Sequence, residues 1–489
     1  MKLRWRILYI LLGSLFLLPS CTDEDLDTTM YGGREDTEFY NNLEEINQAL
    51  TACYFYMKDS WNDMSLMFIN DCASDDCEKG GSGLTNEGDI YQLETFNIFT
   101  TNSKVSQFWN MAYRAIYQIN TLLDKSEIFR SANTDLTEDD KTLLTRYENE
   151  ARWLRGVWYF NLAYLWGDVP LFLHAEQPAD IYKPRTPVAQ IWEQVIADFT
   201  AATALPKRSE YSEEDTGRVT SGTAYAMLGR TYWYNRDFEN AYKMLYVLVE
   251  GEQKGEYELD PDFATQWLNP NSNLRESIFE IQYVTNGKNW DASTGWNGND
   301  FVTGDANYPS RFFDRKHFVP MSETLNAASP VYPQDVEMTV YVIRYADVLL
   351  MYAEACLEKG DIVGARKYLN QVRKRARESS LLDAKRVIQK YVPDTKPTSL
   401  PDITSDNVAE VRLAIWNERR FEFACEGIRR MDLMQQERYG EIMTAVYSNG
   451  YATEDVDKGR YYTKERELFP IPQNDIDLSR GALVQNPGY

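Results

Sequence analysis

Histidine is nearly missing from this chain: His174 and His317 are the two examples in 489 residues. Metal sites built on imidazole and Ser-His-Asp relays therefore have little material to draw on. Basic residues are also in deficit, 51 Lys and Arg against 75 Asp and Glu, for a formal net charge of −24. A chain of that sign repels nucleic acid and other polyanions over the Debye range, so no nucleic-acid partner is expected. After the first 20 residues no apolar run reaches 18, which leaves nothing to read as a spanning helix. The H-E-x-x-H, G-x-S-x-G, P-loop and G-x-G-x-x-G patterns are absent, so neither a cofactor, a metal nor a catalytic set is implied.

What is present is a large apolar and aromatic content, 43% and 13% of the chain, enough for a substantial core and too much for a disordered one. The first 20 residues read as an address. Lys2, Arg4 and Arg6 precede an apolar run from Ile7 to Leu18, too short for a bilayer and shaped like a secretory signal. The run ends at Leu18-Pro19-Ser20-Cys21, which resembles a bacterial lipobox. Residues 1–20 are then removed, Cys21 is the expected lipidation site, and 21–40 form an acidic tether beginning Thr22-Asp23-Glu24-Asp25. Lipid chains would supply the membrane affinity, so the protein itself need not enter the bilayer.

Five cysteines remain: Cys53, Cys72, Cys77, Cys356 and Cys425. Cys72 and Cys77 could close a small disulfide loop or stay as two thiols. Asp75, Asp76 and Glu78 offer oxygen ligands of the kind calcium takes. A solvated acidic loop is the favoured reading of that run.

Three- and four-residue apolar spacing predicts helices over Leu43 to Met57, Val105 to Leu123, Leu143 to Trp166 and from Pro187 to about Ala204. Asp168-Val169-Pro170 is expected to end the third of these. Residues 59 to 100, rich in Asp, Asn and Gly, read as irregular backbone. Tyr225-x2-Leu228-Gly229-x2-Tyr232 with Ala241 has tetratricopeptide spacing, and Leu349-x2-Tyr352-Ala353-x2-Cys356 with Ala365 repeats it. Between these stretches the helical period lapses from Gly251 to about Met338. Ser277 to Tyr283 alternates like a strand, and a Gly-, Asn- and Asp-rich loop follows.

Blocks spread along the chain are similar to the SusD/RagB family of outer-membrane nutrient-binding lipoproteins. They are Glu150-Ala151-Arg152-Trp153-Leu154-Arg155, Trp166-Gly167-Asp168-Val169-Pro170, Pro184-Arg185-Thr186-Pro187, Ile343 to Ala355, Glu418-Arg419-Arg420-Phe421-Glu422-Phe423, Leu468-Phe469-Pro470-Ile471-Pro472 and Gln485-Asn486-Pro487-Gly488. The resemblance implies a mostly α fold: a tetratricopeptide-like helix-pair scaffold with an irregular, loop-rich ligand-binding subdomain containing short strands. In that frame 41–489 form one domain. Its scaffold lies at about 41–58, 104–250 and 339–437, its ligand regions at 59–103 and 251–338, and an irregular segment at 438–489. Arg152, Arg155, Asp168, Arg344, Asp347, Glu418, Arg419 and Arg420 are expected to pair within the scaffold. The resemblance further implies a lipid-anchored position on the outer membrane, facing the cell exterior. There a SusC-like TonB-dependent transporter would receive an oligosaccharide, or alternatively a peptide, without catalysis.

Ligand residues vary within that family, so the candidates rest on chemistry. Sugar rings need flat aromatic platforms plus amides, carboxylates or guanidinium groups for the hydroxyls. Trp290 and Trp296 with Asn289, Asp291, Asn297, Asn299, Asp300 and Arg311 supply both, and Trp61 is the expected second wall. Each tryptophan could instead fill a satellite core. A surface-anchored glycoside hydrolase is the reading from another class, since a carboxylate pair cannot be recognised by sequence spacing.

Overall fold

Helical periodicity governs most of the described chain. The computed structural model describes residues 39–62, 66, 68–77, 88–175, 182–267, 272–282, 339–382, 388–389, 400–448 and 458–489, with short strands at 325–326 and 329–330. Helix α1 (Leu43–Asn62) buries Ile46, Leu50, Cys53 and Met57, one stripe at helical spacing, and runs five residues beyond the expected end. A π-turn at Phe68–Cys72 and a short helix α2 (Gly88–Thr95) follow. The described residues between 59 and 100 are thus more regular than their composition predicts. Ile90 and Leu93 are buried on α2, and tertiary burial outweighs the local Gly and Asn content.

Helix α3 (Ser103–Ala132) starts at Asn102, whose side chain accepts from the Val105 N–H. Helix α4 (Glu138–Trp166) starts at a reciprocal Thr137–Asp140 capping box. It ends at Gly167, φ +74°, one residue before the expected Asp168-Val169-Pro170 stop; the turn needs a left-handed residue there. Asp168 instead accepts from the Val188 N–H at 2.8 Å, opening helix α5 (Val188–Ala202). Helices α6 (Ser221–Tyr234) and α7 (Phe238–Val249) form the first predicted hairpin. A Cβ at Gly229 would lie 2.3 Å from the Leu245 side chain, so the small residue is what lets the two helices approach.

Strand β1 (Ser277–Gln282) pairs antiparallel with β2 (Thr339–Arg344), Glu280 facing Tyr341 and Gln282 facing Thr339. Ile343 and Arg344, read from sequence as the start of a helix, are therefore strand. Helix α8 (Tyr345–Glu358) begins at the next residue and is buried throughout except at Glu358. It pairs with α9 (Ile362–Glu378), and α10 (Val408–Glu422) packs on both. The C-terminal part adds α11 (Arg429–Gln435), α12 (Tyr439–Ser448) and α13 (Gln473–Leu478). Two-residue strand pairs at Leu325–Asn326 with Ser329–Pro330, and at Leu381–Leu382 with Ile388–Gln389, complete the strands among the described residues. Contacts run from α1 to α3 and then in order through α4, α5, α6, α7 and α8: an array of helix neighbours around one aromatic-rich core. The fold is mostly α, as expected.

Buried ion pairs tie this array together. Arg344, 1% exposed, reaches Glu276, Glu422 and Glu426, and Arg375 bridges Glu276 to Glu422. Arg419 joins Asp347 to Asp432, Arg230 also pairs with Asp347, Arg155 pairs with Asp198 and Arg373 with Glu418. Arg152 meets Asn149 and Glu148. Such networks add little net energy over apolar packing, but removing one partner strands the others in a low dielectric. The scaffold pairing expected of Arg152, Arg155, Arg344, Asp347, Glu418 and Arg419 is observed, whereas Asp168 caps α5 and Arg420 binds Asp75 and Asp76 outside the expected scaffold. Among the described residues no helix is long and apolar enough to cross a membrane.

Candidate functional site

Across from β1, the face of α1 that does not enter the core stays open. Thr51, Ala52 and Phe55 lie one helical step away from the buried stripe, and Phe55 keeps 48% of its surface exposed. With Tyr56, Met57, Gly217 and the β1 residues Phe279 to Gln282 they line a groove of about 770 Å³. A narrower chamber of about 330 Å³ adjoins it, sharing Gly217, Phe279 and Glu280 and extending to Arg208, Tyr211 and Tyr257.

The floor is rigidly held. Tyr54 donates to Glu150 at 2.7 Å and accepts from the Val219 N–H at 3.1 Å. Glu150 also receives Arg146 at 3.0 Å and Arg218 at 3.2 Å. Burial pushes the Glu150 carboxyl above the ordinary range, while Arg218, Tyr54 and Arg146 pull it back. Phe279 packs edge-on to Trp153 at 4.8 Å and near Tyr54 at 6.5 Å, so strand and helix share one aromatic core. At the end of β1 nearest the scaffold, Glu276 enters the Arg344 network described above.

Polar groups at the groove are few. Gln282 donates to Asn273 Oδ1 at 2.9 Å. Glu280 accepts from the Asn273 N–H at 2.6 Å through one carboxylate oxygen. Burial raises its pKa. Glu280 is the only carboxylate among the described lining residues.

Trp61 sits on the last turn of α1, four residues past Met57. Trp290, Trp296, Asn289, Asp291, Asn297, Asn299, Asp300 and Arg311 lie outside the described residues, as does Cys21. The described chain breaks off after Gln282 at the edge of this groove, whereas α1 continues past Met57 to Asn62. Sequence reasoning missed Phe55, Tyr56, Glu280 and Gln282. A phenylalanine on the polar side of an otherwise well-patterned helix was the available signal.

One other reading is corrected, and one left open is narrowed. Asp75 and Asp76 are neither solvated nor arranged around a cation. Asp75 meets Arg429 at 2.7 Å and Arg420 at 3.0 Å, and Asp76 meets Arg420 at 2.8 Å. Both side chains are less than 10% exposed, and no cluster suited to a metal occurs among the described residues. Burial raises the Asp75 carboxyl, but the hydrogen bond and charge of Arg429, with Arg420, outweigh it and hold the pKa low. Glu78 lies outside the described residues. Cys72 and Cys77 are free thiols, and the sulfur that Cys77 approaches is that of Cys425.

A family model described as "SusD family" matches residues 176–489. The chain belongs to the SusD family. A second model, described as "Starch-binding associating with outer membrane", matches residues 34–233. SusD-like protein P2 of Formosa agariphila is 25% identical, the match covering 99% of this chain and 100% of that one. A SusD homologue of Bacteroides thetaiotaomicron superimposes with a TM-score of 0.75 at 22% identity, over 93% of this chain and 99% of the other. A laminarin-binding SusD-like protein gives 0.72 at 23% identity, over 92% and 100%.

Proposed function

We propose that this SusD-family chain is a non-catalytic surface lipoprotein that captures an oligosaccharide in the α1–β1 groove. It then hands the glycan to a SusC-like TonB-dependent transporter in the outer membrane. The observation carrying the reading is the groove itself: an apolar trough with the exposed Phe55 ring on one wall and, on the other, Gln282, the last described residue before the Trp290–Trp296 stretch. An aromatic face suits the C–H side of a pyranose, and Trp61, Trp290 and Trp296 would add further platforms. Glu280 and Gln282 lie where hydroxyls would arrive, with Asn289, Asp291, Asn297, Asn299, Asp300 and Arg311 as the polar complement. Laminarin binding by a structural neighbour puts β-glucans first among ligands to try.

The non-catalytic part of the reading rests on the chain's membership of the SusD family and on its glycan-binding structural neighbour. The sequence address supports lipidation at Cys21 and an outward-facing place on the outer membrane.

Isothermal titration of the purified protein against laminarin oligosaccharides, other glycans and peptides tests this directly. Saturable glycan binding with no reducing-sugar release is expected. Binding of peptides alone, or sustained release of reducing ends, would refute the reading.

A further inference from the structure

Cys77 and Cys425 stand 348 residues apart in sequence, with their sulfurs in contact at 3.5 Å. The contact does not depend on two wandering side chains. On one side, the stretch ending at Cys77 is held by Lys458, which donates to the carbonyls of Cys72 and Cys77. On the other, Cys425 lies in the corner between α10 and α11. Several bonds join these two pieces of chain. The Gly427 N–H donates to Asp71 at 2.9 Å, Arg420 binds Asp76 at 2.8 Å and Arg429 binds Asp75 at 2.7 Å. Cys77 is 6% exposed, while Cys425 is half-buried and offers the route in for a reagent.

We propose that Cys77 and Cys425 form a covalent cross-link site, closed as a disulfide once the chain leaves the cytoplasm. Bringing the sulfurs from contact to a bond of about 2.0 Å is a rotamer-scale movement in a junction already fixed from both sides. The proposed export removes the pair from the reducing compartment. The co-reactant is an external disulfide. The Cys425 thiolate attacks one of its sulfurs, forming a mixed disulfide and releasing one thiol. Cys77 then attacks the Cys425 sulfur, the protein disulfide forms and the second thiol leaves. Two protein thiols are oxidised, the external disulfide is reduced to two thiols, and the two protons pass to those products. The hydrogen bond with Cys425, and then burial, hold the Cys77 thiol high, so ring closure is the slow step and the more exposed Cys425 is the entry point. The bond would lock the segment carrying Asp71, Asp75 and Asp76 to the α10–α11 corner.

The test uses full-length protein extracted from membranes without reductant, alkylated in denaturant and digested. A peptide pair linked through Cys77 and Cys425 is expected, disappearing with dithiothreitol, while Cys53, Cys72 and Cys356 are alkylated. Cys72→Ser should keep the linked pair. Wild type should melt several degrees lower in dithiothreitol, and Cys425→Ser should show no such dependence. Alkylation of all five thiols without reductant, or a link between Cys72 and Cys77, overturns the proposal. Should Cys425→Ser fail to fold, the peptide map of wild type decides alone.

Discussion

The Tyr54 hydroxyl donates to the fully buried Glu150 carboxylate at 2.7 Å, joining the groove-lining helix α1 to the central helix α4. Glu150 keeps Arg146 and Arg218 when that hydroxyl is lost. Tyr54→Phe also removes the acceptor of the Val219 N–H, so it should cost about 2 kcal/mol, the usual net value of two buried hydrogen bonds. Chemical denaturation checks this. An unchanged midpoint would mean that these bonds contribute nothing to anchoring the groove.

Gly229→Ala should destabilise through overpacking. Its Cβ would meet the Leu245 side chain at 2.3 Å in a fully buried contact. Cores resist such insertion at about 1 to 3 kcal/mol. Leu245→Ala in the same chain should recover part of the loss relative to the sum of the single variants. A double-mutant cycle with strictly additive effects would contradict the proposed close approach.

Much of the scaffold was legible because its helices are amphipathic at 3.6-residue spacing and α4, α6 and α8 carry strongly patterned blocks. Where the reading missed, a non-local partner decided the outcome. Arg344 is strand because β1, some 60 residues earlier, pairs with it. Asp75 and Asp76 looked solvated because Arg420 and Arg429 lie far away in sequence. Phe55 was passed over because an exposed aromatic on one helix acquires meaning only when β1 arrives opposite. Trp61 and the Trp290–Trp296 loop drew attention by composition, which names chemistry without giving geometry.

Glu280 should leave a mark on the pH dependence of stability. Burial holds its folded pKa above the unfolded value, so the folded chain keeps this proton more tightly. The stability contributed is complete below the unfolded value of about 4.3 and is lost as pH rises through the folded one. Glu280→Gln cannot titrate. Its melting temperature, followed from pH 4 upward, should gain on wild type as pH rises. Parallel curves would show that the carboxyl is not held high.

Cys21→Ala should abolish lipidation and release the protein from the outer membrane. Fractionation with a carbonate wash reads the result. Retention in the membrane pellet would defeat the lipobox reading.

The central claim is that the groove binds glycan through exposed aromatic faces. Phe55→Ala, Trp290→Ala and Trp296→Ala should each lose about 2 kcal/mol of binding, roughly 30-fold in affinity. The melting temperature of Phe55→Ala should stay near wild type, because an exposed aromatic contributes little to folding. Phe279→Ala is the control: this ring is 5% exposed against Trp153, and its loss should cost about 3 to 5 kcal/mol of stability. The most direct measurement is calorimetric titration of Phe55→Ala with the oligosaccharide that wild type binds best, alongside its thermal melt. The account predicts a large affinity loss at an unchanged melting temperature. Wild-type affinity at that same melting temperature would contradict it.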